Sequence, residues 1–389
     1  MKAKLLAFLK NTRVLFGLYL LVALVASVHL ILLGSKTFNG LDIYKHYNNF
    51  VIFRNAFFHL VHAQDLYIFY PQEQYDLFKY SPTFALLMFP FALLPAWAGV
   101  IVWNLANAAL LFYAVSRFTF KDSRYTVFAL WFILQETLTS LQSVQTNPMI
   151  AALLILAFTS LEENKTGRAT LFIVCSAGIK IFGVLGFLLF FLYPNKGKFM
   201  GYSLAWTALL VLIPLLVVSP ESLWMQYQSW WNMLQNDHST SYGLSVMGWL
   251  KTWLGAEPDK FVVVLIGALL LLAPLFRIHE YRTYLFRCLY FSVILIWMII
   301  FNHKAESSTF VIAVCGIAIW YYSQIPNRWL VAVMIFAFVF TCLSPTDLFP
   351  RVWRKEFVEP YVMKAVPCIL IWIWVEVQLL TGRFRNRIE

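Results

Sequence analysis

The chain has 389 residues, of which 61% are hydrophobic and only 13% charged, with a formal net charge of +11. Soluble domains carry roughly 25% charged residues, so this composition excludes an ordinary soluble domain and describes a polytopic membrane protein. The positive charge is spread over short loops and both termini, where it faces anionic lipid or sets topology, and no nucleic-acid partner is expected.

Lys2, Lys4, Lys10 and Arg13 precede the apolar run Val14–Leu33. That run exceeds the roughly 7–15 residues of a signal-peptide core. It therefore reads as an uncleaved first span with the N-terminus inside and the next loop outside. The outer loop, 39–95, contains the longest polar interruption in the chain, from Asp42 to Pro82. Tyr47, Phe50, Val51, Arg54, Phe57, Phe58 and Val61 recur at helical spacing and predict an interfacial amphipathic helix over 43–62. Asp42 falls at its start, where it is either a helix cap or a functional carboxylate.

Thr83–Leu94 is apolar, Pro95 interrupts, and Gly99–Phe118 continues, giving two short crossings or one long bent crossing. Arg117, Lys121 and Arg124 make a polar joint before Tyr125–Leu134. Residues 136–148, ETLTSLQSVQTNP, are too polar to face lipid. After apolar 149–161 and the charged Glu162–Arg168, Ala169–Tyr193 reads as one full span with Lys180 near its middle. Phe199–Val218 precedes a loop over 219–258 rich in Trp, Asn and Ser. Phe261–Phe276, Leu285–Phe301, Thr309–Tyr322, Trp329–Leu343 and Val362–Leu380 complete the spans, and Arg383, Arg385 and Arg387 end the chain.

The expected fold is thus all-α: one integral membrane domain over 1–389, with about twelve transmembrane helices and both termini inside. That count places Arg117–Arg124 and Glu162–Arg168 outside, against the positive-inside rule. A single crossing over Thr83–Phe118 turns those loops inward, but then leaves Lys196 and Lys198 outside. The five cysteines stand singly in apolar runs and read as small buried hydrophobes.

Several polar groups need a reason to be where they are. A mid-span lysine costs about 2.5–3.5 kcal/mol on insertion scales. Lys180 is therefore either the partner of a helix carboxylate such as Glu136 or a cation beside a phosphate. Gln142, Gln145 and Asn147 form either a plain loop or the wall of a polar cavity. The sequence FNHKAESSTF, 301–310, brings His303, Lys304 and Glu306 between two apolar spans as a solvated turn or as part of that cavity. Phosphate recognition needs Arg or Lys, and an acceptor hydroxyl needs a base.

The stretch DLYIFYPQEQYDLFKYSPTFALLMFPFALLP, with Asp42 ahead of it, resembles the polytopic glycosyltransferases of the GT-C fold. Within them it is similar to family 87, which includes bacterial polyprenyl-phosphate-mannose-dependent mannosyltransferases. Asp42, Tyr67, Tyr80, Pro82 and Leu94-Pro95 stand at the positions of that family's pattern. Its Gly-Gln-x-Asn break corresponds to Val144-Gln145-Thr146-Asn147, which lacks the glycine. Lys180 and His303 match a following lysine and a late outer-loop histidine.

The resemblance implies an inverting transferase on the outer (periplasmic or exterior) face of the inner membrane. It would move mannose, another hexose or a pentose from a polyprenyl-phosphate donor to a lipid-linked or glycolipid acceptor. Asp42 would be the catalytic base, with His303 a second catalytic candidate. Lys180, Lys304 and Arg54 would bind the donor phosphate, and Gln145, Asn147 and Tyr80 the sugar or acceptor. No metal or cofactor is expected. The rival reading is a transporter or flippase of a polar or lipid-linked substrate.

Overall fold

The computed structural model describes residues 11–38, 42–236 and 241–384, and the side chains of Phe38, Asp42 and Ile43 lie outside that description. The architecture is largely helical. Helix α1 (Thr12–Leu32) leads to an antiparallel ribbon of β1 (Ser35–Phe38) and β2 (Asp42–Lys45), then to α2 (Asn48–Val61) and the short α3 (Pro82–Leu87) and α4 (Phe89–Ala92). Next come α5 (Ala96–Arg117), α6 (Arg124–Gln142), α7 (Asn147–Glu162), α8 (Thr166–Ile179) and a 3-10 helix over Ile181–Leu192. The second half holds α9 (Lys196–Leu212), α10 (Pro220–Asn236), α11 (Val246–Leu254), α12 (Lys260–Leu272), α13 (Tyr284–Ile300), α14 (Phe310–Tyr322), α15 (Arg328–Ala337), α16 (Arg351–Trp353) and α17 (Val366–Thr381).

Thr12–Leu32, Ala96–Arg117 and Lys196–Leu216 are long and apolar enough to cross a membrane. Helices α7, α13 and α14 are apolar on all sides and almost wholly buried, so they form the centre of the bundle. By contrast α1, α9 and α12 leave leucines, valines and phenylalanines exposed on their outer faces. Such a continuous apolar exterior suits contact with lipid rather than water.

Three local expectations change. Asp42 does not cap a helix: its backbone pairs with Phe38 across the ribbon, and α2 begins only at Asn48, without a side-chain cap. Residues 82–94 do not run through the bundle but fold back beside α2. Arg54 Nε reaches the Leu94 carbonyl at 3.4 Å, and the Phe53 and Phe84 rings meet at 5.4 Å. Gly99 permits this approach, since a Cβ there would lie 2.4 Å from the Phe50 ring.

The third change concerns 169–193, which is not one span. Helix α8 and the 3-10 helix form an antiparallel hairpin, with Gly183 against Ser176, Gly186 against Ile173, and Tyr193 returning to hydrogen-bond Glu162. Lys180 is therefore at the hairpin's tip and not at the middle of a span.

These changes sort the loops to two ends. At one end Arg117 pairs with Glu163 at 2.7 Å, Arg287 with Glu162 at 2.7 Å, and Tyr284 donates to the Thr119 carbonyl at 2.6 Å. Lys121 N–H bonds the Tyr322 carbonyl, and Arg277 bonds that of Leu380. The basic joints 117–124 and 162–168 thus share one end with Lys196, which removes the charge conflict that the sequence posed. At the other end α10 clamps the polar loop that follows α2. There Ser229 donates to both Asp65 oxygens at 2.8 and 2.7 Å, and Gln226 accepts from Leu66 N–H at 3.0 Å.

Toward that second end lies a buried ion pair. Lys364 Nζ sits 2.9 Å from both Glu136 oxygens and 2.8 Å from Ser307 Oγ, with the two charged side chains 2% and 0% exposed. Glu136 is therefore the partner of Lys364 and not of Lys180. Removing one member strands the other charge, so Lys364→Met is expected to destabilise the detergent-solubilised protein by about 3–5 kcal/mol. Adding Glu136→Leu to it restores most of the loss, because two apolar groups need no compensation. A double variant no more stable than the single one in thermal unfolding overturns this account.

Candidate active site

The polar centre forms where four segments meet: the Lys180 hairpin tip, the break between α6 and α7, the 301–309 turn, and the loop ahead of α3. The Tyr80-Ser81-Pro82 stretch is built to hold the hairpin tip. Pro82 takes the first helical position, where its missing N–H costs nothing. Ser81 Oγ caps the helix by accepting from Phe84 N–H at 3.2 Å, and donates its own proton to the Gly178 carbonyl. Tyr80 is thereby set beside the tip. Its ring stacks on Phe84 at 4.7 Å and meets Phe53 edge-on at 5.0 Å. Burial holds the Tyr80 phenol above its ordinary pKa and therefore neutral.

Lys180 ends α8 in an extended conformation. Its ammonium donates to Asn147 Oδ1 at 2.9 Å and Gln145 Oε1 at 3.2 Å, and lies 5.8 Å from the Tyr80 ring centroid. Tyr80 Oη is 3.5 Å from the same Gln145 oxygen. Asn147 uses its amide N–H on the Ser308 carbonyl at 2.9 Å. One Lys180 proton and the Gln145 amide nitrogen have no assigned partner among the described residues, so both can serve a ligand. Glu306, exposed on the same turn, is within electrostatic reach of both Lys180 and Tyr80.

The break itself departs from the sequence expectation in extent. Helix α6 continues to Gln142, with Thr137 and Thr139 hydroxyls bonded back to the Ile133 and Gln135 carbonyls. Only 143–146 is non-helical, and there Val144 has φ +49°. This is the left-handed conformation that glycine adopts freely and a β-branched residue resists. The glycine missing from the Gly-Gln-x-Asn pattern is thus missing where the backbone favours it. Val144 is 1% exposed. Burying it recovers about 1.5–3 kcal/mol, enough to offset the roughly 1–2 kcal/mol of left-handed strain.

Four expected site residues therefore come together: Tyr80, Gln145, Asn147 and Lys180. His303 and Lys304 occupy the 301–306 turn, partly buried, with Lys304 N–H on Asn302 Oδ1 at 2.9 Å and the turn packed under Gly243. Arg54 is elsewhere, against the Leu94 carbonyl and the Phe58 ring. The Asp42 side chain lies outside the described residues. Asp65 is held by Ser229 and by Tyr67 N–H and serves to fasten loops. Sequence reasoning missed Lys364, whose signal was a lysine at the very start of an apolar run, and gave Glu306 no role in the site. No three His, Cys, Asp or Glu side chains gather as a metal site requires among the described residues.

No curated protein matches the chain. The model of glycosyltransferase family 87 matches residues 78–301. That stretch is more than half of the chain and carries Tyr80, Gln145, Asn147 and Lys180, while Asp42, Arg54, His303 and Lys304 fall outside it. That match over more than half of its length makes the chain a member of glycosyltransferase family 87, and hence a glycosyltransferase enzyme.

Proposed function

We propose that the enzyme transfers a hexose, mannose first among them, from a polyprenyl-phosphate donor to a lipid-linked or glycolipid acceptor with inversion. The observation that carries this reading is the Lys180 ammonium at a polar hairpin tip, held by Gln145 and Asn147 with a proton to spare. In the reaction the bond between the anomeric carbon and the phosphate oxygen breaks, and its electron pair leaves with polyprenyl phosphate. The acceptor oxygen bonds the anomeric carbon from the opposite side, and its proton passes to a carboxylate base. Lys180 stabilises charge on the departing phosphate, while the Gln145 amide and the Tyr80 hydroxyl orient sugar hydroxyls. The polyprenyl chain needs only apolar surface, which the lipid-facing helices supply.

Asp42 is the base in this reading, as the family resemblance implies. Glu306 supports a second reading of the same step, because it is a carboxylate within electrostatic reach of Lys180 and Tyr80. In the membrane the chain would cross twelve times. The α8 hairpin counts as two crossings and residues 82–94 as none, with both termini and the basic loops inside and the Lys180 tip toward the outer face.

The decisive assay is sugar transfer from synthetic polyprenyl-phosphate sugars to host lipid extract, read by mass spectrometry. Asp42→Asn is expected to cut turnover by roughly 10²–10⁴-fold with donor binding intact. Should Asp42→Asn stay near wild type while Glu306→Gln shows that loss, the base is Glu306. No transfer from any donor by the wild type returns the flippase reading.

Lys180→Met is expected to raise the donor KM by roughly 10- to 150-fold, the worth of a charge-assisted hydrogen bond. An unchanged donor affinity would make Lys180 purely structural.

Single cysteines at Gln72 and Lys165, in a chain freed of its native cysteines, are expected to label from opposite sides. On intact spheroplasts only the Gln72 site reacts; labelling of Lys165 there contradicts the hairpin topology.

A further inference from the structure

At the basic end of the bundle, remote from the Lys180 tip, a cavity of about 970 Å³ opens beside the base of the α8 hairpin. Phe191, Leu272, Leu275 and Phe276 give it an apolar wall, and Lys196, Arg282 and Arg287 line it as well. The three cations are not equivalent. Arg287 is committed to Glu162, which it grips with two hydrogen bonds of 2.7 Å. Lys196 caps the Phe190 and Phe191 carbonyls and keeps one donor in reserve. Arg282 is exposed and has no assigned partner among the described residues. Once Glu162 is neutralised, the cavity carries net positive charge next to a greasy wall.

We propose that this cavity is a binding site for an anionic diacyl phospholipid. The phosphodiester would sit on Arg282 and Lys196, with one acyl chain along Phe191, Leu272 and Phe276. The cations supply the charge complement, and the wall removes the chain's methylenes from water. Phe276 and Ile278 are among the most exposed apolar side chains of the bundle, at 88% and 70%, so the wall continues onto the surface that faces lipid. The site takes no part in sugar transfer and does not depend on the donor assigned above.

The test uses the full chain in detergent, titrated by native mass spectrometry with phosphatidylglycerol and with phosphatidylcholine of the same acyl chains. Phosphatidylglycerol is expected to bind at least tenfold more tightly. Arg282→Gln should remove about tenfold of that preference, whereas Arg282→Lys keeps most of it. Leu272→Trp, which narrows the wall, should weaken both lipids. Basal sugar transfer and melting temperature in detergent should be unchanged by Arg282→Gln, which separates loss of binding from loss of fold. Equal affinity for the two lipids, indifference to Arg282→Gln, or complete displacement by excess inorganic phosphate would each overturn the proposal.

Discussion

An ammonium group buried among apolar helices persists only where oxygen atoms surround it, because its desolvation costs several kcal/mol. Two lysines impose that condition on this bundle. Lys364 is met by both oxygens of Glu136 and by Ser307, and Lys180 by Gln145 and Asn147. The two sets share one short piece of chain: Ser307 serves Lys364 through its side chain, and Ser308 serves Asn147 through its carbonyl. The 301–309 turn is thus fixed from two sides by the need to satisfy charge. The ends of α6, α7, α8, α14 and α17 converge on it for the same reason.

The hairpin explains how a lysine can be afforded at such a place. At mid-span in a single helix Lys180 would need a partner within the bundle or would face hydrocarbon. At the tip of α8 and the 3-10 helix it reaches the polar end of the bundle, where Ser81 ties the Gly178 carbonyl and Tyr80 covers the ammonium. A 3-10 return suits this role because Gly183 and Gly186 let its backbone press against Ser176 and Ile173. The same reversal brings Tyr193 and Lys196 back to the basic end, so one device places a cation near each face.

The extent of the family match fits this division of labour. Residues 78–301 contain the side chains that gather around Lys180, while Lys364 and the turn that anchors it lie beyond. The matched stretch supplies the cluster, and the chain beyond residue 301 supplies its support. Val144 shows how a family pattern can lose a residue and keep its geometry: the left-handed backbone remains, held by burial of the side chain where glycine would need no help.

The sequence by itself determined what depends on composition and on local pattern. The apolar runs, the polar loop after the first of them, the break near Gln145 and Asn147, and the kinship carried by Tyr80, Pro82 and Lys180 were all legible. So was the membrane character, because burying so much apolar surface needs no knowledge of contacts. What the sequence could not decide is where the chain reverses. Ala169–Tyr193 has the length and hydropathy of one span, and a 3-10 return has no sequence period that distinguishes it from a continuing helix. Residues 82–94 look like a crossing because the partner that turns them aside, α2, is distant in hydrophobic pattern and near only in space. Both reversals bear on where the basic joints lie, and in the folded bundle those joints share one end. Pairing was equally hidden: Glu136 had two lysines to choose from, 44 and 228 residues away along the chain, and only the tertiary structure shows which one shares its cavity. Charge compensation at long range depends on distance in space, which sequence separation does not encode.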